Sequence, residues 1–211
     1  MYKKIYLFST SFYPDTIHIN SLDTNFFKPE IDFANYDYLI ITSKQVSIAL
    51  QQYDNELYRD IPALCVSQQT ARSFETLGGR TLEIGSGYGD NLFEIIKQYP
   101  KDKRWLYLRA KEIASNFAQK SQEESYKIDE AIMYETFCSD DIQKTQVEDD
   151  SILIFTSPSS IKCFLKNHEL KSTQKIVVIG NTTAKVLPKN SNFVISSETT
   201  VASCVKIAKT L

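Results

Sequence analysis

An apolar strand that ends in Thr-Ser and runs straight into a helix occurs twice in this chain, and it limits the fold more than any other feature. Tyr36-Asp-Tyr-Leu-Ile-Ile-Thr42-Ser43 is echoed by Asp149-Asp-Ser-Ile-Leu-Ile-Phe-Thr156-Ser157, each with a helical pattern behind it. A second pair follows at a matching distance: Pro62-Ala-Leu-Cys-Val-Ser67-Gln-Gln-Thr70-Ala71 and Lys175-Ile-Val-Val-Ile-Gly180-Asn-Thr-Thr183-Ala184. The lead-in strands Lys4-Ile-Tyr-Leu-Phe-Ser9 and Arg104-Trp-Leu-Tyr-Leu-Arg109 also correspond. One α/β unit used twice predicts two similar halves and a cleft between them as the first candidate for function.

The patterning fills in that plan. Strands are predicted at 4–9, 37–41, 62–66, 81–84, 105–109, 151–155, 175–179 and 193–195, with extended passages at 28–32 and 131–137 and a loop after the first strand to about residue 24. Helices are predicted over 43–53, 69–77, 90–98, 111–124, 158–167, 182–187 and 199–209, with Thr42 or Ser43 capping the first and Asp90 the third. Strands alternating with helices indicate parallel sheets with flanking helices. In such folds ligands sit at the carboxyl ends of the strands.

Composition narrows the function classes. With 24 basic and 26 acidic residues the formal net charge is −2, so no global positive field gathers nucleic acid or anionic lipid. No apolar run is long enough to span a bilayer, and Met1-Tyr-Lys-Lys leads directly into a strand pattern, so a cytoplasmic protein is expected. Cys65, Cys138, Cys163 and Cys204 form no CxxC pair and have no histidine set nearby, which reads as reduced, mostly buried thiols and no metal site. His18 and His168 are isolated from each other and from any nucleophile motif.

The chemical content of the repeat lies in its strand-to-helix loops. Amide donors without partners at a helix start, aided by Ser and Thr hydroxyls, suit carboxylates or phosphates. Thr42, Ser43, Ser67, Thr70, Thr156, Ser157, Ser159, Thr182 and Thr183 are therefore candidate substrate-binding residues, against the plain alternative that such residues cap helices everywhere. Gly85, Ser86 and Gly87, in Thr81-Leu-Glu-Ile-Gly85-Ser-Gly87-Tyr-Gly89-Asp90, are expected to add backbone donors. That glycine-rich turn resembles the first motif of S-adenosylmethionine methyltransferases. Two strand-helix units precede it, however, and the next strand ends in Arg109 instead of an acid.

The ordered set resembles uroporphyrinogen-III synthase. The matching pieces are Ile40-Ile-Thr-Ser43, Cys65-Val-Ser-Gln-Gln-Thr70-Ala71, Leu106-Tyr-Leu-Arg109-Ala110, Met133-Tyr134-Glu-Thr136, Ile154-Phe-Thr-Ser-Pro-Ser159 and Val178-Ile-Gly-Asn-Thr-Thr183-Ala184, covering nearly the entire chain. Ser67 and Ala110 stand where the family usually has glycine, and the region after strand 4–9 lacks the family's full first helix. Either that helix is shortened to a loop or this side of the domain is built differently.

The resemblance implies two α/β domains joined by a two-stranded linker: 1–26 with 138–211, an inserted domain at 33–131, and linker strands at 27–32 and 132–137. It implies a lyase that closes hydroxymethylbilane to uroporphyrinogen III with inversion of ring D and loss of water, needing no cofactor. Tyr134 matches the family's active-site tyrosine segment, and strand alternation puts Tyr134 and Thr136 on one face and Met133 and Glu135 on the other. Arg109 is expected either to hold a propionate or to pair with a protein carboxylate. The implied partners are a linear tetrapyrrole substrate and a transient handover from hydroxymethylbilane synthase, with no nucleic acid or membrane, and a monomer is expected. The alternatives are a catalytically silent two-domain binding module and an S-adenosylmethionine-dependent methyltransferase.

Overall fold

The computed structural model describes residues 3–113 and 115–211. In chain order, the strands among these residues are β1 (Ile5–Ser9), β2 (Ile17–Asn20), β3 (Leu22–Phe26), β4 (Tyr38–Ile41), β5 (Ala63–Cys65), β6 (Thr81–Ile84), β7 (Arg104–Ala110), β8 (Lys127–Cys138), β9 (Ile152–Phe155), β10 (Lys175–Val178) and β11 (Phe193–Ile195). The helices are α1 (Lys44–Leu50), α2 (Gln68–Glu75), α3 (Leu92–Ile96), α4 (Phe117–Glu123), α5 (Asp140–Lys144), α6 (Pro158–Phe164), α7 (Asn181–Ala184) and α8 (Val201–Ala208). They form two compact units: one runs to Asp23 and resumes at Phe137, and the other is Thr24–Thr136.

The first unit holds a five-stranded sheet in the order β11-β10-β9-β1-β2, parallel throughout. Both faces of its central strands are apolar, as a parallel sheet covered on two sides requires. Phe8, Leu153, Phe155, Ile176 and Val178 turn one way onto α5 and α6, whereas Leu7, Ile152, Ile154 and Val177 turn the other way onto α8. The ring of Phe8 stacks on Phe155 at 4.9 Å and meets Phe164 edge-on at 5.0 Å.

The second unit holds a six-stranded sheet in the order β3-β8-β7-β4-β5-β6. Leu39, Ile41, Leu106 and Leu108 pack beneath α1 and α2, and Ile40, Leu64, Trp105 and Tyr107 pack beneath α3 and α4. Ser43 caps α1 and Ser67 caps α2, while Ser157 caps α6 through a reciprocal box with Ser160. The two sheets share a strand order: β11-β10-β9-β1 in one corresponds to β6-β5-β4-β7 in the other. The first unit has its lead-in strand β1 before its partners β9, β10 and β11, whereas the second has the equivalent β7 after β4, β5 and β6.

Four sequence-based expectations need correction. The loop after β1 contains β2, which lies parallel to β1 with Tyr6 opposite Ile17 and Ser9 opposite Asn20. A parallel crossover usually takes a dozen or more residues and a helix. Here residues 10–16 suffice, helped by Asp15 at φ 60 and by the Thr16 hydroxyl donating to Tyr13 O at 2.7 Å. The first extended passage lies at Leu22–Phe26 instead of 27–32. Phe27 N still donates to Met133 O at 2.8 Å, but Pro29 has no N–H to continue a ladder.

The helix expected over 111–124 starts only at Phe117. Lys111 N donates to Tyr134 O at 2.8 Å and so prolongs the β7–β8 ladder, which rules out a helix start there; Ala114 lies outside the described residues. Asp90 does not cap α3. It sits within a 3-10 turn, Gly89–Asn91, and accepts the Ser115 hydroxyl at 2.6 Å.

The expectation of four reduced thiols is also corrected. Cys138, at the end of β8, is disulfide-bonded to Cys163 on α6, with Cα atoms 5.3 Å apart; Cys65 and Cys204 are free and buried. Nothing in the spacing of the four cysteines marks this pair, because a strand end and a helix interior meet only in the folded unit. With a sequence separation of 25 between the bonded positions, loop-closure entropy stabilises the fold by about 3 kcal/mol. Reductant should therefore lower the urea midpoint of the wild type and leave that of a Cys138→Ser/Cys163→Ser double variant unchanged.

Candidate functional site

The second unit contains a hollow of about 260 Å³ at the carboxyl ends of β4 and β7, lined in part by Thr42, Ser43, Gly87, Tyr107, Glu112 and Tyr134. Pockets that engulf a whole drug-sized ligand hold about 300–1,000 Å³. This hollow is therefore smaller than a pocket that encloses a whole ligand of that size.

Tyr134 reaches it by a break in strand register. β7 and β8 run in step as far as Arg109 opposite Ile132, and then Ala110 faces Tyr134, so Met133 is skipped. Simple alternation, which separates Tyr134 from Met133, fails here. Both side chains are buried and both join the core under α1 and α2. Tyr134 is only 7% exposed. Burial raises its phenol above the ordinary tyrosine value, partly offset by the Ser43 hydroxyl beside it.

Tyr107 is a second buried phenol on the same hollow, its hydroxyl 3.1 Å from Thr42 Oγ1, and burial raises its pKa too. The sequence reading missed it, as it missed Glu112. The signal was present for Tyr107: alternation places it on the face opposite Leu106 and Leu108, near the end of a strand already paired with the repeat.

The other candidates are placed as follows. Thr42 and Ser43 line the hollow, although Ser43 Oγ also accepts Gln45 N at 3.2 Å. Ser67 Oγ accepts Thr70 N at 3.3 Å and lies 3.1 Å from Thr70 Oγ1, so this pair is turned upon itself, and Thr70 is buried. In the glycine turn, Gly85 N donates to Cys65 O at 2.7 Å and Gly87 N to Val66 O at 2.8 Å. These amides finish the β5–β6 ladder, which corrects the expectation that they stand open as donors. Ser86 Oγ accepts Asn91 Nδ2 at 2.6 Å. Gly87, at φ 97, adopts a conformation that side-chain-bearing residues rarely take. β6 is the edge strand of its sheet, whereas a methyltransferase-type motif would open a central strand.

In the first unit, the Thr156 hydroxyl donates to Phe8 O at 3.1 Å and Ser157 is occupied by its capping box. Ser159 and Thr182 are exposed beyond β9 and β10, and Thr183 is buried. Arg109 takes the structural course of its two expected roles. Its Nε pairs with Glu130, and Nη1 donates to Ala110 O at 2.8 Å and Lys111 O at 3.0 Å. The described residues contain no cluster of His, Cys, Asp and Glu able to hold a metal, and no helix among them is long and apolar enough to cross a membrane.

Two outcomes follow from this geometry. Arg109→Ala removes a cation whose partner is only 26% exposed, so it should cost about 1–3 kcal/mol in a urea melt. In an alkaline ultraviolet titration, the tyrosine absorbance change above pH 10.0, which Tyr107 and other buried phenols share, should be smaller by one phenol in Tyr134→Phe than in the wild type. Because the folded state holds this proton after the unfolded chain has released it, the associated stability is complete below pH 10.0 and declines as pH rises through the folded value.

No curated protein matches the chain. Among solved structures, it is similar to the uroporphyrinogen-III synthetase of Helicobacter pylori 26695, at 24% identity and a TM-score of 0.80, covering 99% of both chains. It is also similar to a mutant uroporphyrinogen III synthase of the extremely thermophilic bacterium Thermus thermophilus, at 12% identity and a TM-score of 0.59, over 99% of this chain and 98% of that one. At these identities the likeness shows a shared two-domain α/β fold. The family model for uroporphyrinogen-III synthase HemD matches residues 15–206, and the chain therefore belongs to that family.

Proposed function

We propose that this protein closes hydroxymethylbilane to uroporphyrinogen III, inverting ring D and releasing water. The observation that carries the reading is a buried, neutral phenol, Tyr134, opening on a hollow with Thr42, Ser43 and Tyr107 in a chain of this family. Loss of the terminal hydroxyl needs a proton at the departing oxygen, and a phenol kept protonated by burial retains one across the neutral range. The resulting azafulvene is attacked by the substituted carbon of the last pyrrole, giving a spiro intermediate whose fragmentation and reclosure leave that ring inverted. Without guidance the free carbon attacks instead and gives the type I isomer. The enzyme's work is then to fold the chain and meet developing charge with fixed dipoles.

The substrate's acetate and propionate groups are assigned to the exposed loops after β9 and β10, with Ser159 and Thr182 as donors. A cytoplasmic monomer that accepts its substrate from hydroxymethylbilane synthase completes the proposal.

Incubation with freshly generated hydroxymethylbilane should yield the type III isomer, and type I product alone would overturn the reading. In single-turnover kinetics Tyr134→Phe should close the ring about 10- to 100-fold more slowly while keeping type III selectivity, since folding of the substrate does not depend on the phenol. A variant as fast as the wild type would reduce Tyr134 to a packing residue.

A further inference from the structure

The hollow around Tyr134 is lined by hydroxyl, glycine and apolar residues and by a single charged side chain, Glu112. Glu112 is exposed and makes no hydrogen bond or ion pair with the described residues, whereas its neighbour Lys111 is held by Glu135 at 2.7 Å. A carboxylate with no direct partner, its neighbour Lys111 being bonded to Glu135 instead, is the wrong lining for a substrate that carries an acetate and a propionate on each ring. It repels those groups and admits whatever part of the substrate lacks them.

Each pyrrole has one carboxylate-free edge, made of the ring N–H and the two carbons that flank it. On the first ring one of these carbons carries the hydroxymethyl group and the other the bridge to the next ring. We propose that the hollow receives this edge, with the Glu112 carboxylate accepting the pyrrole N–H and stabilising the positive charge that develops there. The inference rests on the proposed function and adds how that site chooses one end of its substrate.

The chemistry balances without another reagent. The carbon–oxygen bond of the hydroxymethyl group breaks, and its electron pair leaves with the oxygen, which takes the Tyr134 proton and departs as water. The pyrrole nitrogen supplies electrons to the carbon left behind, so the charge falls on the N–H that Glu112 faces. Ring closure later releases one proton, which restores the phenol. A carboxylate at this point attracts the cation more strongly than the neutral substrate, so it assists the step itself.

The test uses the full chain with two substitutions at this exposed position. Glu112→Gln keeps an acceptor but removes the charge, and it should slow single-turnover closure about 10- to 100-fold with KM unchanged. A closure rate equal to that of the wild type overturns the proposal, and so does a raised KM at unchanged rate. Glu112→Lys should bind uroporphyrinogen III more tightly than the wild type in anaerobic equilibrium dialysis, because the hollow now attracts carboxylates, yet close hydroxymethylbilane more slowly. Binding no tighter than that of the wild type overturns the proposal even if turnover is absent. Wild-type protein that yields type I product alone contradicts the proposed function instead, so the two failures are distinguishable.

Discussion

The register slip between β7 and β8 is the constraint on which the second unit's hollow depends. Two parallel strands in step present side chains alternately to opposite faces, and the phenol at position 134 would then share a face with Ile132 and stand opposite Met133. By skipping Met133 opposite Arg109 and Ala110, the ladder buries two successive side chains on one side and brings Tyr134 level with the end of β7. Lys111 N closes the slip by donating to Tyr134 O, and Phe27 N takes up the Met133 carbonyl. The irregularity therefore leaves the carbonyls of both Met133 and Tyr134 paired.

The same economy governs the hydroxyl-rich loops. A Ser or Thr at the end of a strand has to choose between the helix start that follows it and anything outside. Ser67, Thr70 and Ser157 are committed inward, to each other or to nearby amides. Ser43 divides its role, since its oxygen receives an amide while it lies beside the Tyr134 phenol. Caps of this kind stabilise the helix starts behind the strands by about 1 kcal/mol each.

How much was legible in the sequence follows from how local each cause is. The central strands β4, β5, β9 and β10 are short apolar runs stopped by Thr, Ser or Gly, and the caps Ser43, Ser67 and Ser157 announce the helices behind them; these were readable because strand, stop and cap are adjacent in the chain. β2 was not readable, because Ile17-His-Ile-Asn20 is a brief edge strand and half of its identity lies in pairing with β1, including His18 Nε2 donating to Ser9 O. The Cys138–Cys163 bond, the Arg109–Glu130 pair and the β7–β8 slip are equally non-local. Glu112 was overlooked because an acid in a presumed helix looks like a solvated face. Once Lys111 is drawn into the ladder, the residue after it is carried to the rim of the hollow.

The hydrogen bonds around Ser139 have a consequence for how the gene product can be divided. Ser139 N donates to Ser21 O and the Ser139 hydroxyl pairs with Asn20 O, so the two points where the chain leaves and re-enters the first unit are stitched side by side within that unit. An insertion whose ends emerge together can be cut out and replaced by a short turn without pulling the host's strands apart. The first unit keeps a complete five-stranded parallel sheet with helices on both faces after such an excision. It has the makings of a self-sufficient minimal domain, while the second unit resembles a guest accommodated in one of its loops.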